Sequence, residues 1–330
     1  MTYPSLMRRA LGIALALAMA ACSPAPGASE IPVAQASPTP SPNPPPSPSP
    51  STNPGPPPDG KLAAFDKARA MSHARALARD IGVRVQASRG ERRAARYVVR
   101  RLSAYGYETM VQIFDLPEGR SRNVVAWWPG TWRTARTGIV IGAHMDTAPE
   151  APGANDNASG VAVLLELARL AAGKRQVRWL RFVAFGAEER GPDGEHHLGS
   201  ETYVARLGDR ARGKLAGMVS VDMIADGRPL LVGTSRIGPD TIAKRLYKTF
   251  DDAGIDADYR TFCDCSDNGP FELAGVPAAL VWSGPEPNYH SPSDTLANLK
   301  PADLRRTGRA LRAFLIKVGK PMIQALRRAR

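Results

Sequence analysis

The chain reads GIVIGA at residues 138–143, VAVLLELARLAA at residues 161–172 and VRWLRFVAF at residues 177–185. The first and third segments are short apolar runs, as expected of strands that are covered on both faces. The second segment places apolar residues at positions 161, 164, 165 and 168, which is the spacing of a helix. Strand, helix and strand in this order are typical of a parallel sheet flanked by helices.

The same alternation continues in both directions from this region. Downstream, the sequence predicts strands at 217–224 and 276–282, a helix at 240–253 and a final helix that opens at Pro301. Upstream, it predicts helices at 62–79 and 91–105, the latter closed by Gly106, and strands at 108–114 and 123–128. We therefore expect an α/β fold of three layers, α/β/α, with a mostly parallel, mixed central sheet.

Proline usage divides the 330 residues into a tail and a domain. The chain contains 30 prolines, and 15 of them fall between residues 22 and 58. This segment has almost no bulky apolar residues, so it cannot bury a core. We predict a disordered tether at 22–60 and one domain at 61–330. No apolar run reaches the ~18 residues of a transmembrane span.

The first residues have the pattern of an export signal. Arg8 and Arg9 precede an apolar run at 10–21, and Cys22 follows small residues. This arrangement resembles the lipobox of bacterial lipoproteins, which implies cleavage after residue 21 and a lipid anchor on Cys22. An ordinary signal peptide followed by a chance cysteine is the alternative. Either reading predicts an exported protein, and the lipobox places it on the bacterial cell envelope.

The net charge of +13 comes from 44 Lys and Arg against 31 Asp and Glu. A nucleic-acid-binding protein would combine such positive charge with a motif that contacts the bases. The sequence contains no helix-turn-helix, zinc finger or aromatic RNA-binding strand. We expect no nucleic-acid partner. The basic surface is expected to be solvated and attracted to anionic envelope polymers.

Polar side chains stand at or soon after the carboxyl ends of four predicted strands. They are His144, Glu188 with Glu189, Asp222 and, after a loop, His290. Ligands of open α/β sheets bind at this edge, so these residues should converge together with Asp156, which lies in the loop at 154–160 that opens the following helix.

The charge of this set predicts metal ions. Asp156, Glu189 and Asp222 bring three negative charges, which two divalent ions and one bridging hydroxide balance to zero. This balance favours two metal ions over one. Mixed imidazole and carboxylate ligands suit zinc better than calcium or magnesium.

Six segments carry a resemblance to a known family: GAHMDT (142–147), GANDNASGVAVLLELAR (153–169), FGAEERG (185–191), VDMI (221–224), CSDNGPF (265–271) and YHSPSDT (289–295). In order and spacing they resemble the co-catalytic di-zinc aminopeptidases of metallopeptidase family 28, bacterial leucyl aminopeptidase type. The resemblance implies the zinc-dependent exopeptidase fold, also called phosphorylase/hydrolase-like. It also implies two zinc ions per chain and removal of N-terminal residues from peptides that have a free N-terminus.

The family pattern assigns the metal ligands residue by residue. Asp156 matches the carboxylate that bridges the two zinc ions. His144 and Asp222 would complete one site, and Glu189 and His290 the other.

Three further residues match catalytic positions of the family. Glu188 matches the general base that takes a proton from the zinc-activated water and hands it to the leaving amine. Asp146 matches an aspartate that orients a ligand histidine. Tyr289 stands where some relatives place a phenol that steadies the tetrahedral intermediate.

The chain departs from the pattern at three places. The connection at 190–198 is longer than usual and contains His196 and His197. These two histidines could be extra metal ligands, but we expect them to belong to a loop insertion at the rim of the site. Asn268 stands where many relatives carry histidine. Cys263 and Cys265 are either two thiols without a catalytic role or a disulfide at the edge of the permitted Cα separations.

Three alternatives share the resemblance. They are a glutaminyl cyclase with a single zinc, a carboxypeptidase relative, and a lipid-anchored binding protein without catalysis. Metal content separates the first and the last from a peptidase with two zinc ions. We expect the peptidase, acting as a monomer.

Overall fold

The structure is a computed structural model that describes residues 61–329. The predicted signal peptide, Cys22 and the predicted tether lie outside the described residues. Among the residues described, no helix combines the length and the apolar character needed to cross a membrane.

The centre of the domain is an eight-stranded sheet with the strand order β1-β2-β4-β3-β5-β8-β6-β7. The strands are β1 Glu108–Leu116, β2 Gly119–Trp127, β3 Ile139–His144, β4 Leu180–Phe185, β5 Gly217–Val221, β6 Leu230–Thr234, β7 Asp258–Thr261 and β8 Ala278–Ser283. The four central strands β4, β3, β5 and β8 are parallel, and so is the pair β6–β7, whereas β1–β2, β2–β4 and β6–β8 are antiparallel. The sheet is therefore mixed with a parallel centre, as predicted.

Ten helices accompany the sheet within residues 61–329. They are α1 Lys67–Arg75, α2 Arg89–Ala104, α3 Trp132–Ala135, α4 Gly160–Ala171, α5 Leu198–Leu207, α6 Asp209–Arg212, α7 Thr241–Asp252, α8 Asn268–Leu273, α9 Pro301–Lys317 and α10 Lys320–Arg328. The predicted starts and stops at Gly106 and Pro301 are confirmed. Gly106 follows α2 with φ +93°, and Pro301 is the first residue of α9.

Alternate residues of the central strands pack on opposite faces of the sheet. Ile139 and Ile141 of β3 belong to the larger apolar core, which α1, α2, α4, α7 and α9 cover. Val140 between them belongs to a second core that contains residues of α5 and α8. Because side chains of a strand alternate between faces, two cores on one strand mean helices on both sides. This confirms the three-layer α/β/α architecture.

Several predicted boundaries are wrong. The strand predicted from Val177 begins at Leu180, because residues 175–179 form a 3₁₀ turn. The helix predicted at 62–79 begins at Lys67, where Asp66 caps it by accepting the backbone N–H of Arg69 at 3.1 Å. Strands β6 and β7 and helices α3, α6, α8 and α10 were not predicted. The sequence of β7 is DYRT, which lacks an apolar run because this edge strand is partly exposed.

Candidate metal centre and active site

The parallel centre of the sheet brings the predicted site residues to one edge. His144 is the last residue of β3, Glu188 and Glu189 follow the end of β4, and Asp222 directly follows β5. All of them are buried, as is Asp156 in the loop that leads into α4. His290 reaches the same place from the loop after β8.

Asp156 stands between the two histidines. Its Oδ1 lies 3.1 Å from Nε2 of His144, and its Oδ2 lies 3.3 Å from Nε2 of His290. On the first side, Nε2 of His144 is also 3.1 Å from Oδ1 of Asp222. On the second side, Nε2 of His290 is 2.8 Å from Oε2 of Glu189. The two oxygens of one carboxylate therefore face two separate histidine–carboxylate pairs.

Metal-ligating atoms are close enough to share cations. Atoms of His144, Glu188 and Asp222 lie within 4.8 Å of one another, and so do atoms of His144, Asp156 and Glu189. Imidazole nitrogens and carboxylate oxygens are the ligand types of zinc sites in enzymes. The residues present therefore fit zinc. Glu188 lies among the ligands by distance, so its predicted role as a base depends on the family resemblance.

The loop that carries Asp156 is held by a carboxylate that was not assigned a role from the sequence. Asp294 accepts the backbone N–H of Asn155 through Oδ1 at 2.7 Å and that of Asp156 through Oδ2 at 2.9 Å. Gly153 enters this loop with φ +63°, where a Cβ would come 2.3 Å from the carbonyl oxygen of Asp156. Asp294 lies in the segment YHSPSDT, four residues after His290. Its place in that segment was the sequence feature that could have indicated a role for it.

Asp146 lies directly behind the cluster and is fully buried. Its Oδ2 accepts the backbone N–H groups of both Glu188 and Glu189 at 3.0 Å. Its Oδ1 is 3.6 Å from Nδ1 of His144, which is long for a hydrogen bond. The structure thus brings Asp146 beside His144 as predicted, and its shorter contacts hold the backbone of the two glutamates.

A buried arginine supports the neighbouring loops. The guanidinium of Arg84 donates to the carbonyl oxygens of Met145 at 2.8 Å, Pro152 at 2.7 Å and Gly153 at 2.8 Å. Burial lowers the pKa of Arg84 to about 10, so it stays charged at neutral pH. The carboxylates of Asp294 and Asp146 act in the opposite direction on this pKa.

The buried charges shift one another's protonation. Burial and then Asp156 raise the pKa of Glu189 to about 7, and burial raises the pKa of Glu188 well above its usual range. Burial opposes protonation of His290, but its contacts with Asp156 and Glu189 outweigh it and raise its pKa to about 10. The raised pKa values of the glutamates and of His290 have one cause: several carboxylates lie close together, and only imidazoles balance their negative charge.

Two adjoining cavities open above the cluster. A cleft of about 110 Å³ is lined by four candidate ligands, Asp156, Glu189, Asp222 and His290, and by Glu188. A pocket of about 380 Å³ adjoins it. Asp222, Met223, Cys265 and Tyr289 line both cavities. The ring of Tyr289 stacks on that of His290 with centroids 3.7 Å apart. Burial and then Asp156 raise the pKa of Tyr289, so its hydroxyl keeps its proton at neutral pH.

The larger pocket has an apolar wall. It is lined by Phe262, Leu280, Trp282 and Pro285, with the carboxylate of Glu286 among them. Cys263 and Cys265 also belong to this wall and are joined as a disulfide. Their Cα atoms are 5.2 Å apart, which lies inside the usual range and not at its edge as the sequence suggested.

The remaining departures from the family pattern have different locations. His196 and His197 line the metal cleft, and His197 is 4% exposed. Neither belongs to a group of close ligating atoms found among residues 61–329, and neither does His290, whose place at the site is shown by its contacts with Asp156 and Glu189. Asn268 is buried and lines neither cavity, and its side chain donates to Glu272 at 2.9 Å and to Ser235 at 3.1 Å.

The profile of Peptidase family M28 matches residues 123–315, which contain all of the candidate metal ligands. The chain belongs to peptidase family M28. This M28 chain is 30% identical to leupeptin-inactivating enzyme 1 of Streptomyces exfoliatus, over 77% of the chain and 61% of that protein.

Two other relatives are similar over about half of the M28 chain. It is 32% identical to aminopeptidase YwaD of Bacillus subtilis, over 52% of the chain and 38% of that protein. It is also 32% identical to the probable lipoprotein aminopeptidase LpqL of Mycobacterium tuberculosis, over 54% of the chain and 42% of that protein. The chain thus spans less than two thirds of the length of each of these relatives.

Solved structures share the fold of this M28 chain. BSAP, a zinc aminopeptidase from Bacillus subtilis, superposes with a TM-score of 0.69 at 19% identity, over 77% of the chain and 95% of BSAP. A glutaminyl cyclase from Bacteroides thetaiotaomicron, bound to N-acetylhistamine, superposes with a TM-score of 0.66 at 22% identity, over 78% and 99%. At these identities, both similarities show only that the fold is shared.

Proposed function

We propose that the chain is a zinc aminopeptidase with two zinc ions, acting on peptides that have a free N-terminus. The observation that carries this proposal is the position of Asp156, whose two oxygens face His144 and His290 on opposite sides. One carboxylate between two histidine–carboxylate pairs is suited to bridging two cations. The names of the relatives YwaD and LpqL as aminopeptidases support the same conclusion.

In this proposal, His144 and Asp222 hold one zinc ion, and Glu189 and His290 hold the other. When bound, zinc polarises the scissile carbonyl and makes a water molecule easier to deprotonate. Glu188 takes a proton from the attacking water and gives it to the amine as the C–N bond breaks. The protonated hydroxyl of Tyr289 can donate a hydrogen bond to the carbonyl oxygen as negative charge develops there.

The adjoining pocket supports a preference for an apolar N-terminal residue. Its volume of about 380 Å³ and its walls of Phe262, Leu280 and Trp282 accommodate a leucine-sized side chain. Glu286 on the same wall has one oxygen, Oε1, that is buried and has no hydrogen-bond partner among residues 61–329. We assign this oxygen to the α-ammonium group of the substrate.

Aminoacyl-p-nitroanilide hydrolysis by the full-length chain tests the proposal. We expect cleavage of the leucyl substrate, and no cleavage of N-acetyl-leucyl p-nitroanilide, which lacks the free amine. The purified protein should contain close to two zinc ions, and a chelator should abolish activity that added zinc restores. Glu286→Gln should raise KM for the leucyl substrate.

Other results would point elsewhere. One tightly held zinc ion together with cyclisation of an N-terminal glutamine would make the chain a glutaminyl cyclase, the activity in the name of one structural neighbour. Cleavage of the acetylated substrate, or removal of C-terminal residues, would contradict aminopeptidase action. A protein without metal or hydrolytic activity would be the binding protein considered from the sequence.

The proposal includes a location on the cell envelope. The export signal and Cys22 in the sequence support it, as does the description of LpqL as a probable lipoprotein aminopeptidase. Attachment through Cys22 would keep a monomeric enzyme at the membrane, where it would meet extracytoplasmic peptides.

A further inference from the structure

The long connection between Glu189 and α5 ends on the backbone of the proposed base. The backbone N–H of His197 donates to the carbonyl oxygen of Glu188 at 2.9 Å, and that of Leu198 donates to Ala187 at 2.8 Å. These two hydrogen bonds fix the end of the connection against the residues that precede Glu189. The connection is therefore anchored to the active site at its histidine pair.

The side chain of His197 also reaches Glu188. Its Nε2 lies 3.1 Å from Oε1 of Glu188, and its Nδ1 lies 2.9 Å from Nδ1 of His196. Glu188 must be an ionised carboxylate to act as the proposed base, and a carboxylate only accepts hydrogen bonds, so its contact with His197 requires the proton of His197 on Nε2. Nδ1 of His197 then accepts from the Nδ1–H group of His196. Burial and then the neighbouring His196 lower the pKa of His197 to about 3, in keeping with a neutral ring.

The backbone does not explain why a histidine occupies this position. His197 has φ +60° and ψ +19°, in the left-handed region that glycine and asparagine adopt most readily. Histidine supplies something that asparagine does not, namely a donor at the end of a longer side chain. In this structure that donor faces the carboxylate of Glu188.

We propose that His197 is a positioning residue that fixes the carboxylate of Glu188 for catalysis. The hydrogen bond occupies Oε1, and the other oxygen, Oε2, then points toward His144, 3.8 Å from its Nε2. Oε2 is thus the oxygen that accepts the proton of the attacking water, while Oε1 accepts the hydrogen bond from Nε2 of His197. This inference rests on the proposed function, because it requires Glu188 to be the base.

Two substitutions of His197 separate positioning from a merely structural role. The amide nitrogen of glutamine can occupy the place of Nε2, whereas asparagine is too short to reach Glu188 but suits the left-handed backbone better. Positioning therefore predicts that His197→Gln keeps kcat within about 10-fold of the wild type. His197→Asn should lose about 10²-fold, as a misplaced catalytic group does. KM and zinc content should stay unchanged in both full-length variants.

The opposite order of activity would overturn the inference. If His197 only anchors the loop, His197→Asn should be at least as active as His197→Gln. Loss of zinc from both variants together with loss of activity would likewise show that His197 supports the metal centre and not the base. If the zinc-loaded wild type cleaves no aminoacyl substrate, the proposed function fails first, and the role of His197 fails with it.

A spectroscopic measurement gives a second readout that does not depend on turnover. The chain has five histidines, so nitrogen-15 spectra of the histidine-labelled protein can be assigned by substitution. We expect His197 to be neutral with its proton on Nε2 at neutral pH. A proton on Nδ1 instead would remove the donor to Glu188 and overturn the inference.

Discussion

Asp146 holds Glu188 by its backbone: Oδ2 of Asp146 accepts the N–H group of Glu188 at 3.0 Å. The same oxygen accepts the N–H group of Glu189 at 3.0 Å. A proposed base and a proposed metal ligand are therefore oriented by one buried carboxylate. That carboxylate follows β3, whereas the two glutamates follow β4, so the contact joins the ends of neighbouring strands.

Two substitutions of Asp146 should separate its charge from its hydrogen bonds. Asp146→Asn keeps an acceptor for the two backbone amides but removes the negative charge beside His144. We expect zinc affinity to fall about 10- to 100-fold, as is usual when the carboxylate behind a ligand histidine is lost. The free energy of unfolding of the metal-free chain should change little. Chelator competition and urea unfolding provide the two measurements.

Asp146→Ala is the matched comparison. It leaves two buried N–H groups without an acceptor, each at a cost of about 1–3 kcal/mol in the free energy of unfolding. The alanine variant should therefore be less stable than the asparagine variant in the metal-free form. Equal stability of the two variants would contradict the importance of the backbone contacts.

The neighbouring glutamates should respond differently to the same substitution. Glu188→Gln removes the proton acceptor and keeps the shape, so kcat should fall by about 10²–10⁴-fold while both zinc ions stay bound. Glu189→Gln should lose zinc, and activity only as a consequence. Metal analysis and steady-state kinetics with a leucyl substrate compare the two. Zinc lost from Glu188→Gln but kept by Glu189→Gln would mean that the two roles are exchanged.

The lipid anchor stays a prediction from the sequence. Cys22→Ser removes the thiol that would carry the lipid, so the protein should move from the membrane fraction to the soluble fraction. Metabolic labelling with radioactive palmitate in the natural host provides the measurement, with the wild type as the reference. Absence of label from the wild-type protein would refute the lipobox interpretation.

A buried histidine outside the active site should make stability depend on pH. Nδ1 of His73 is 2.6 Å from the hydroxyl of Tyr97 in the core between α1 and α2. Burial and then Arg101 lower the pKa of His73 from 6.5 to about 4. The unfolded chain takes up this proton near pH 6.5 and the folded chain only near pH 4. The contribution of His73 to the free energy of unfolding is complete above pH 6.5, where the ring is neutral in both states. It is lost progressively as the pH falls toward 4.

The comparison of the wild type with His73→Gln isolates this effect. Over the window from pH 7 to pH 4, His73 should cost the wild type about 3 kcal/mol of unfolding free energy. The glutamine variant lacks that contribution and should show a flatter pH dependence in urea unfolding. Parallel pH profiles of the two proteins would show that His73 is not the responsible group.

The location of the site could be predicted because it depends on short-range patterns. His144, Asp222 and the two glutamates follow apolar strands within a few residues, and parallel neighbours must bring those ends together. The fold class followed from the same alternation of strands and helices. Strand β7 escaped prediction because its residues at the sheet edge need no apolar pattern.

The residues that support the candidate metal ligands were harder to predict. Asp294 lies 138 residues from Asp156 in sequence, and its hydrogen bonds to the loop depend on how the loop after β8 packs. His197 lies in a connection without helical or strand periodicity, and the sequence predicted that this connection lies at the rim of the site. Its place beside the base depends on backbone hydrogen bonds to Ala187 and Glu188, and on the contact of its ring with Oε1 of Glu188.

Arg84 bears on how this centre assembles. Several carboxylates must come together in the interior before a metal ion can find its complete set of ligands, and their mutual repulsion opposes that step. A permanent interior cation, bound to carbonyl oxygens and not neutralised by a direct carboxylate partner among the described residues, offsets part of this repulsion. The order of events that this arrangement favours is folding first and metal uptake second. We therefore expect the metal-free chain to fold, with zinc added afterwards to a cavity that is already formed.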